Sequence, residues 1–160
     1  MNNRTSRYVL AAIAVAAPFA VGVAQMGGPP SPQQQAEKAV KVRQGLFEVQ
    51  AFAFGPIGGM LKDAPFDAAL VAKEAPRLQF TSSMIPEVFQ LDTRQFQVTT
   101  KAKPGIWADK ADFTQKAKDL QTAADTLAAA AKGGDKAAIL QAAGAVGKAC
   151  GACHDKYRDK

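Results

Sequence analysis

The sequence predicts an all-α protein, an antiparallel four-helix bundle, and three patterns carry that prediction. Phe113, Ala117, Leu120, Ala124, Leu127 and Ala131 recur in steps of 4, 3, 4, 3 and 4, which lays one apolar seam along a helix. Beyond a Gly133-Gly134 break, Ile139, Ala143, Val146, Cys150, Cys153 and Tyr157 repeat the same steps. Upstream, "QQQAEKAVKVRQGLFEVQAFAF" is rich in helix formers and sets Ala36, Val40, Phe47 and Ala51 on an apolar face. Together with a less regular segment between them, these faces bury one another when four helices pack side by side.

In chain order, Arg4 and Arg7 precede the apolar run "VLAAIAVAAPFAVGVA", which closes on the small residues Gly22-Val23-Ala24. That is the pattern of a secretory signal peptide. The run has 16 positions and contains Pro18, whereas a membrane-spanning helix needs roughly 20 apolar residues. Residues 1–24 are therefore expected to form a signal peptide cleaved after Ala24, leaving an exported chain without a membrane anchor. Residues 25–35, with "MGGPPSPQQQ", read as a flexible N-terminal lead, and residues 36–160 as the bundle. The first helix is expected to end or kink at Gly55-Pro56, and a second to start at Asp67 and break at Ala75-Pro76. "IPEVFQLDTRQFQVTTKAKPG" reads as a long connection. Asp109 caps the third helix, Gly133-Gly134 stops it, and Asp135 caps the fourth.

Without Arg4 and Arg7, 18 basic residues stand against 14 acidic ones, so the formal charge falls from +6 to +4. So small a surplus, spread along the chain, gives no footprint for nucleic acid. The 136 residues after Ala24 suit one domain. Both downstream seams are dominated by alanine and other small residues, which bury little area, so a large apolar object could complete the core.

The tail "KACGACHDKYRDK" holds both cysteines and the sole histidine of the chain. Cys150 and Cys153 are i, i+3 neighbours on a helix, and His154 is i+4 from Cys150, so all three share one side. Cys-x-x-Cys-His is the attachment pattern of a c-type haem: two thiols bond the porphyrin and the imidazole binds iron. A thioredoxin-like pair belongs at a helix N-terminus, where the dipole lowers a thiol pKa, and this pair sits deep in the last helix. A zinc site lacks a fourth Cys or His ligand, and a disulfide across i, i+3 of a continuous helix is strained. Covalent haem is the reading these residues favour. With one histidine, a second axial histidine within the chain is impossible, and Met26, Met60 and Met84 lie off the helical seams.

The chain resembles the cytochrome c′ family, the class II c-type cytochromes, on "AVKVRQGLF", "FGPIGGMLK", "PGIWADKADF" and "CGACHDKYR". The resemblance implies a four-helix bundle with one covalent haem c in its core, held by Cys150 and Cys153 and ligated by His154. It implies that Arg43 and Gln44 lie at the haem propionates, that Phe47 covers the distal face of the iron, and that Arg158 lies in the proximal pocket. Family members often carry leucine where this chain has Phe47, and low-spin relatives carry methionine. A phenyl ring offers no lone pair, so the iron is expected to be five-coordinate.

The function this implies is binding of small gases, nitric oxide and carbon monoxide, in the periplasm, with nitric oxide tolerance as the consequence. The alternative is an electron-transfer carrier of the class II type, meeting redox partner proteins at an exposed haem edge. No set of catalytic acid, base and nucleophile is visible, so no catalytic residues are assigned. A homodimer is also implied, and Leu46, Phe52 and Phe54 look surplus to one seam.

Overall fold

The computed structural model describes residues 28–160; the signal peptide and its cleavage after Ala24 lie outside the described residues. Four long helices form the bundle: α1 (Pro32–Met60), α2 (Ala68–Ser83), α5 (Lys110–Gly133) and α6 (Lys136–Tyr157). Two single-turn helices, α3 (Ile85–Val88) and α4 (Gly105–Ala108), lie on the connection between α2 and α5. The long helices pack in a ring, α1 on α2, α2 on α5, α5 on α6 and α6 on α1. None of the described helices is long and apolar enough to cross a membrane.

Each of the four long helices starts at a side chain that accepts an otherwise unpaired backbone N–H. Asp67, Asp109 and Asp135 accept from Leu70, Asp112 and Ala138 at 2.9, 3.2 and 2.7 Å. Gly134, at φ 72°, ends α5 in the left-handed region that a residue without Cβ enters at little cost. The expected lead is shorter than residues 25–35. Ser31 and Gln34 form a reciprocal capping box and Pro32 sits at the first turn, so helix begins inside the stretch that composition marks as loose.

Neither internal proline breaks its helix. α1 runs through Pro56 and α2 through Pro76. A helical proline removes one N–H and crowds the carbonyl four residues back. Here those residues, Phe52 and Ala72, are exposed, as are both prolines, so the freed carbonyls belong to the water-facing side of each helix, where such carbonyls are readily solvated.

The α5 seam is buried as the spacing predicts, with Ala124 and Leu127 fully enclosed. On α6, Ile139, Ala143 and Val146 are fully buried, but Cys150 and Cys153 are only half-buried. The core is thus continuous at one end and hollow at the end that carries the cysteines. On α1 the buried stripe is Ala36, Val40, Arg43, Leu46, Gln50, Ala53, Ile57 and Met60, so Met60, expected off the seams, instead closes this one. Ala51, expected on the apolar face, is exposed, and Phe47 is half-buried. Both border the hollow, which is why an apolar face reads in the sequence where the packed core does not extend.

Candidate functional site

The hollow consists of two recesses, of about 430 Å³ and about 220 Å³, that share Phe47, Ala51, Cys153 and His154. Their combined size is that of a cofactor or ligand site. The larger lies between α1, α6 and the α2–α5 connection. Phe89, Ile106, Phe113 and Tyr157 give it aromatic and aliphatic walls, while Arg43, Gln44, Lys101 and Arg158 stand on its border. The smaller reaches in between α1, α2, α5 and α6, past Leu78, Ile85 and Leu120 to Cys150.

Four helical turns of α6 bring the expected ligand set to this hollow. Cys150 and Cys153 are free thiols, and burial pushes both up from the ordinary thiol value. That is the opposite of the activation a redox-active thiolate pair requires. Although His154 is exposed as a residue, partial desolvation of its ring, reinforced by the Arg158 charge, lowers its pKa and favours the neutral imidazole, the form that binds a metal. Phe47 faces it from α1: the ring centroids lie 6.5 Å apart at 77°, an edge-to-face pair.

Arg43 is 3% exposed and does more than border the larger recess. Its Nε donates to the Val88 carbonyl at 2.8 Å, Nη1 to Thr93 Oγ1 at 3.0 Å and Nη2 to the Leu91 carbonyl at 2.6 Å. The guanidinium also lies over the rings of Phe89 and Trp107, at 4.7 and 5.2 Å from their centroids. Trp107 Nε1 donates to the Phe89 carbonyl at 3.2 Å. Arg43 therefore ties α1 to residues 88–93, a role the sequence did not disclose. Burial pulls its pKa down from the ordinary value, partly offset by Asp92. Three of its five N–H groups are used in these bonds.

Arg158 does not stack one turn above His154 on the helix, as its i+4 spacing predicts. α6 ends at Tyr157, and Arg158 is its extended C-cap, with its N–H on the His154 carbonyl. The following chain pairs with residues 101–103: Lys103 N–H donates to the Tyr157 carbonyl at 3.0 Å and Asp159 N–H to the Lys101 carbonyl at 2.8 Å. This pairing keeps Arg158 on the border of the larger recess beside His154. Tyr157, buried at 3% exposure, anchors the same corner; its hydroxyl donates to Asp112 Oδ2 at 2.6 Å and its ring packs edge-on against Phe113 at 5.3 Å.

These residues fit a covalently held haem. Two free thiols at helical i, i+3 and a neutral imidazole open on one apolar hollow that is flanked by three cations at one end. A flat apolar ring system with an anionic edge has this complementarity. The pair it must part, Phe47 and His154, is the weakest wall: His154 is exposed and can turn about its side-chain torsions without disturbing the core.

A family model described as Cytochrome C' matches residues 38–158. A cytochrome c' of Rubrivivax gelatinosus is 37% identical over 128 residues, covering 79% of this chain and 98% of that protein. A cytochrome c-554 of Cereibacter sphaeroides is 37% identical over 130 residues, covering 79% and 84%. Among solved structures, cytochrome c' from Rubrivivax gelatinosus aligns with a TM-score of 0.72 at 36% identity, over 78% of this chain and 97% of that one. A nitric oxide complex of a variant cytochrome c prime from Alcaligenes xylosoxidans aligns with a TM-score of 0.69 at 37% identity, over 78% and 97%.

Proposed function

This chain belongs to the cytochrome c′ family, carrying one covalently bound haem c in a helical bundle, and from that premise we propose that it binds nitric oxide and carbon monoxide at a five-coordinate haem in the periplasm. The observation that carries the reading is the pairing of His154 with Phe47 across the hollow. His154 could ligate an iron held in the hollow, whereas the Phe47 ring beside it offers no lone pair. The haem supplies an iron centre able to take a small gas or a single electron. Cys150 and Cys153 would fix the group, His154 would supply the iron ligand, Phe47 would wall the hollow from α1, and Arg43, Gln44 and Arg158 would answer the charge of its propionates.

Gas binding is supported by the nitric oxide complex and by a carbon monoxide complex of another variant from Alcaligenes xylosoxidans, 37% identical with a TM-score of 0.70. Removal of nitric oxide from the exported space, and hence tolerance of it, is the physiological role we assign. An electron carrier is the weaker reading, because a fixed sixth ligand suits that work and neither Met60 nor Met84 borders either recess. Denaturing electrophoresis with haem staining is expected to colour the polypeptide band. Extraction of the haem into acidified organic solvent would refute covalent attachment. A purified ferrous protein that is already low-spin and fails to take up carbon monoxide would refute the gas site.

We assign the protein to a homodimer through α1, on a different set of residues from the one the sequence suggests. Leu46 is buried and Phe54 packs on the core, so neither is surplus. Val42, Val49 and Phe52 instead stand exposed on α1 at 46, 48 and 70%, spaced to share one stripe. Phe80 on α2 is exposed at 69%. A helix with an apolar outer stripe is covered economically by the same stripe of a second copy. Sedimentation is expected to give a dimer at micromolar concentration and a monomer after Phe52→Lys; a wild-type monomer would refute it.

A further inference from the structure

The smaller recess contains two polar groups that its apolar walls do not explain. Gln50 Nε2 on α1 and Ser82 Oγ on α2 are both buried and have no hydrogen-bond partner. Both residues line that recess, together with Phe47 and His154. Gln50 is 9% exposed and Ser82 1%. Buried donors are nearly always paired, because a group that has left water without a partner forfeits its hydration. Leucine or methionine at Gln50 and alanine at Ser82 would line the same space without that cost. The only other such atom among the described residues, Gln121 Oε1, lies outside both recesses, on a side chain whose amide already donates to Asp125.

The placement of the two groups gives them a use. His154 reaches the smaller recess from α6, and a small ligand held in that recess would meet the walls that α1 and α2 supply, which carry Phe47, Gln50 and Ser82. Gln50 follows Phe47 by three residues and so lies beside it on the same helix face. We propose that Gln50 and Ser82 are gas-specificity residues: when Phe47 gives way, the Gln50 amide and the Ser82 hydroxyl donate hydrogen bonds to the outer atom of the bound diatomic ligand. An amide N–H stabilises the electron density that iron pushes onto a diatomic, so the recess holds polar gases longer than a purely apolar wall does. Phe47 then governs entry, and Gln50 with Ser82 governs release. This rests on the reading of the hollow as a gas-binding haem site.

The test uses the holoprotein and carbon monoxide. The C–O stretching frequency reports the electrostatics at the outer atom, and a donated hydrogen bond lowers it. Gln50→Leu is expected to raise the frequency and to speed carbon monoxide dissociation roughly fivefold to tenfold, the factor of one net hydrogen bond. Ser82→Ala is expected to shift both in the same direction by less. Because Gln50→Leu keeps the volume and removes an unpaired group, its thermal midpoint should not fall; if it does, Ser82→Ala carries the test alone. Unchanged frequencies in both variants would overturn the inference while leaving the gas site standing. A downward shift in Gln50→Leu would also overturn it, since the wild-type side chain would then be presenting its oxygen. A wild-type holoprotein that binds no carbon monoxide would overturn the underlying reading instead.

Discussion

Phe47→Ala is expected to speed carbon monoxide association by roughly 10-fold to 100-fold while leaving the covalently attached haem in place. Phe47 is half-buried and packs against Phe89 at a centroid distance of 6.1 Å. A ligand approaching from α1 and α2 must push this ring off its neighbours. Forcing a packed side chain aside costs about 1–3 kcal/mol, and each 1.4 kcal/mol in the barrier is tenfold in rate. The effect should fall mainly on association, because the ring is displaced before the ligand binds. Stopped-flow mixing of the ferrous protein with carbon monoxide measures it. Phe47→Met supplies the complementary result: a thioether in place of the phenyl is expected to drive the iron toward a low-spin, six-coordinate state. An unchanged association rate in Phe47→Ala would show that another residue closes the distal face and would strengthen the electron-carrier alternative.

What the sequence disclosed of this site is what helical periodicity can encode. Cys150, Cys153 and His154 stand within five positions of one helix, so their common orientation follows from spacing alone. The caps at Asp67, Asp109 and Asp135 are equally local, since each acts within three residues. α1 does not end at Pro56 and α2 is not interrupted at Pro76, for a related reason. A helical proline costs less where the carbonyl it frees can be solvated, and the exposure of Phe52 and Ala72 depends on which face each helix buries. Gln50 could have been found, because Arg43, Phe47 and Gln50 follow in steps of 4 and 3 and place a polar residue on the stripe that faces the hollow. Ser82 offered no such signal. The capture of Arg43 by Val88, Leu91 and Thr93 joins residues 45 to 50 positions apart through an irregular connection, and no periodicity marks the acceptors.

That capture makes Arg43→Ala the substitution with the largest expected effect on stability, about 2–4 kcal/mol. The guanidinium is a buried charge whose three hydrogen bonds serve residues 88–93, and its plane lies over Phe89 and Trp107. Truncation to alanine strands the Val88 and Leu91 carbonyls and the Thr93 hydroxyl, and Thr93 is only 2% exposed, so water cannot readily replace the lost donor there. Breaking a buried network of this kind falls at the large end of single-residue effects. It should lower the thermal midpoint of the holoprotein by roughly 10 °C. Arg43→Lys separates the two roles proposed for this side chain. A lysine keeps the charge that a haem propionate requires, but it cannot present a planar fork to three acceptors or stack on the rings. If Arg43 serves the 88–93 segment, Arg43→Lys should melt nearly as early as Arg43→Ala, and Thr93→Val should reproduce part of the loss. If the lysine variant instead melts with the wild type, charge toward the propionate is the whole of the contribution, and the hydrogen bonds to Val88, Leu91 and Thr93 add nothing that water does not supply.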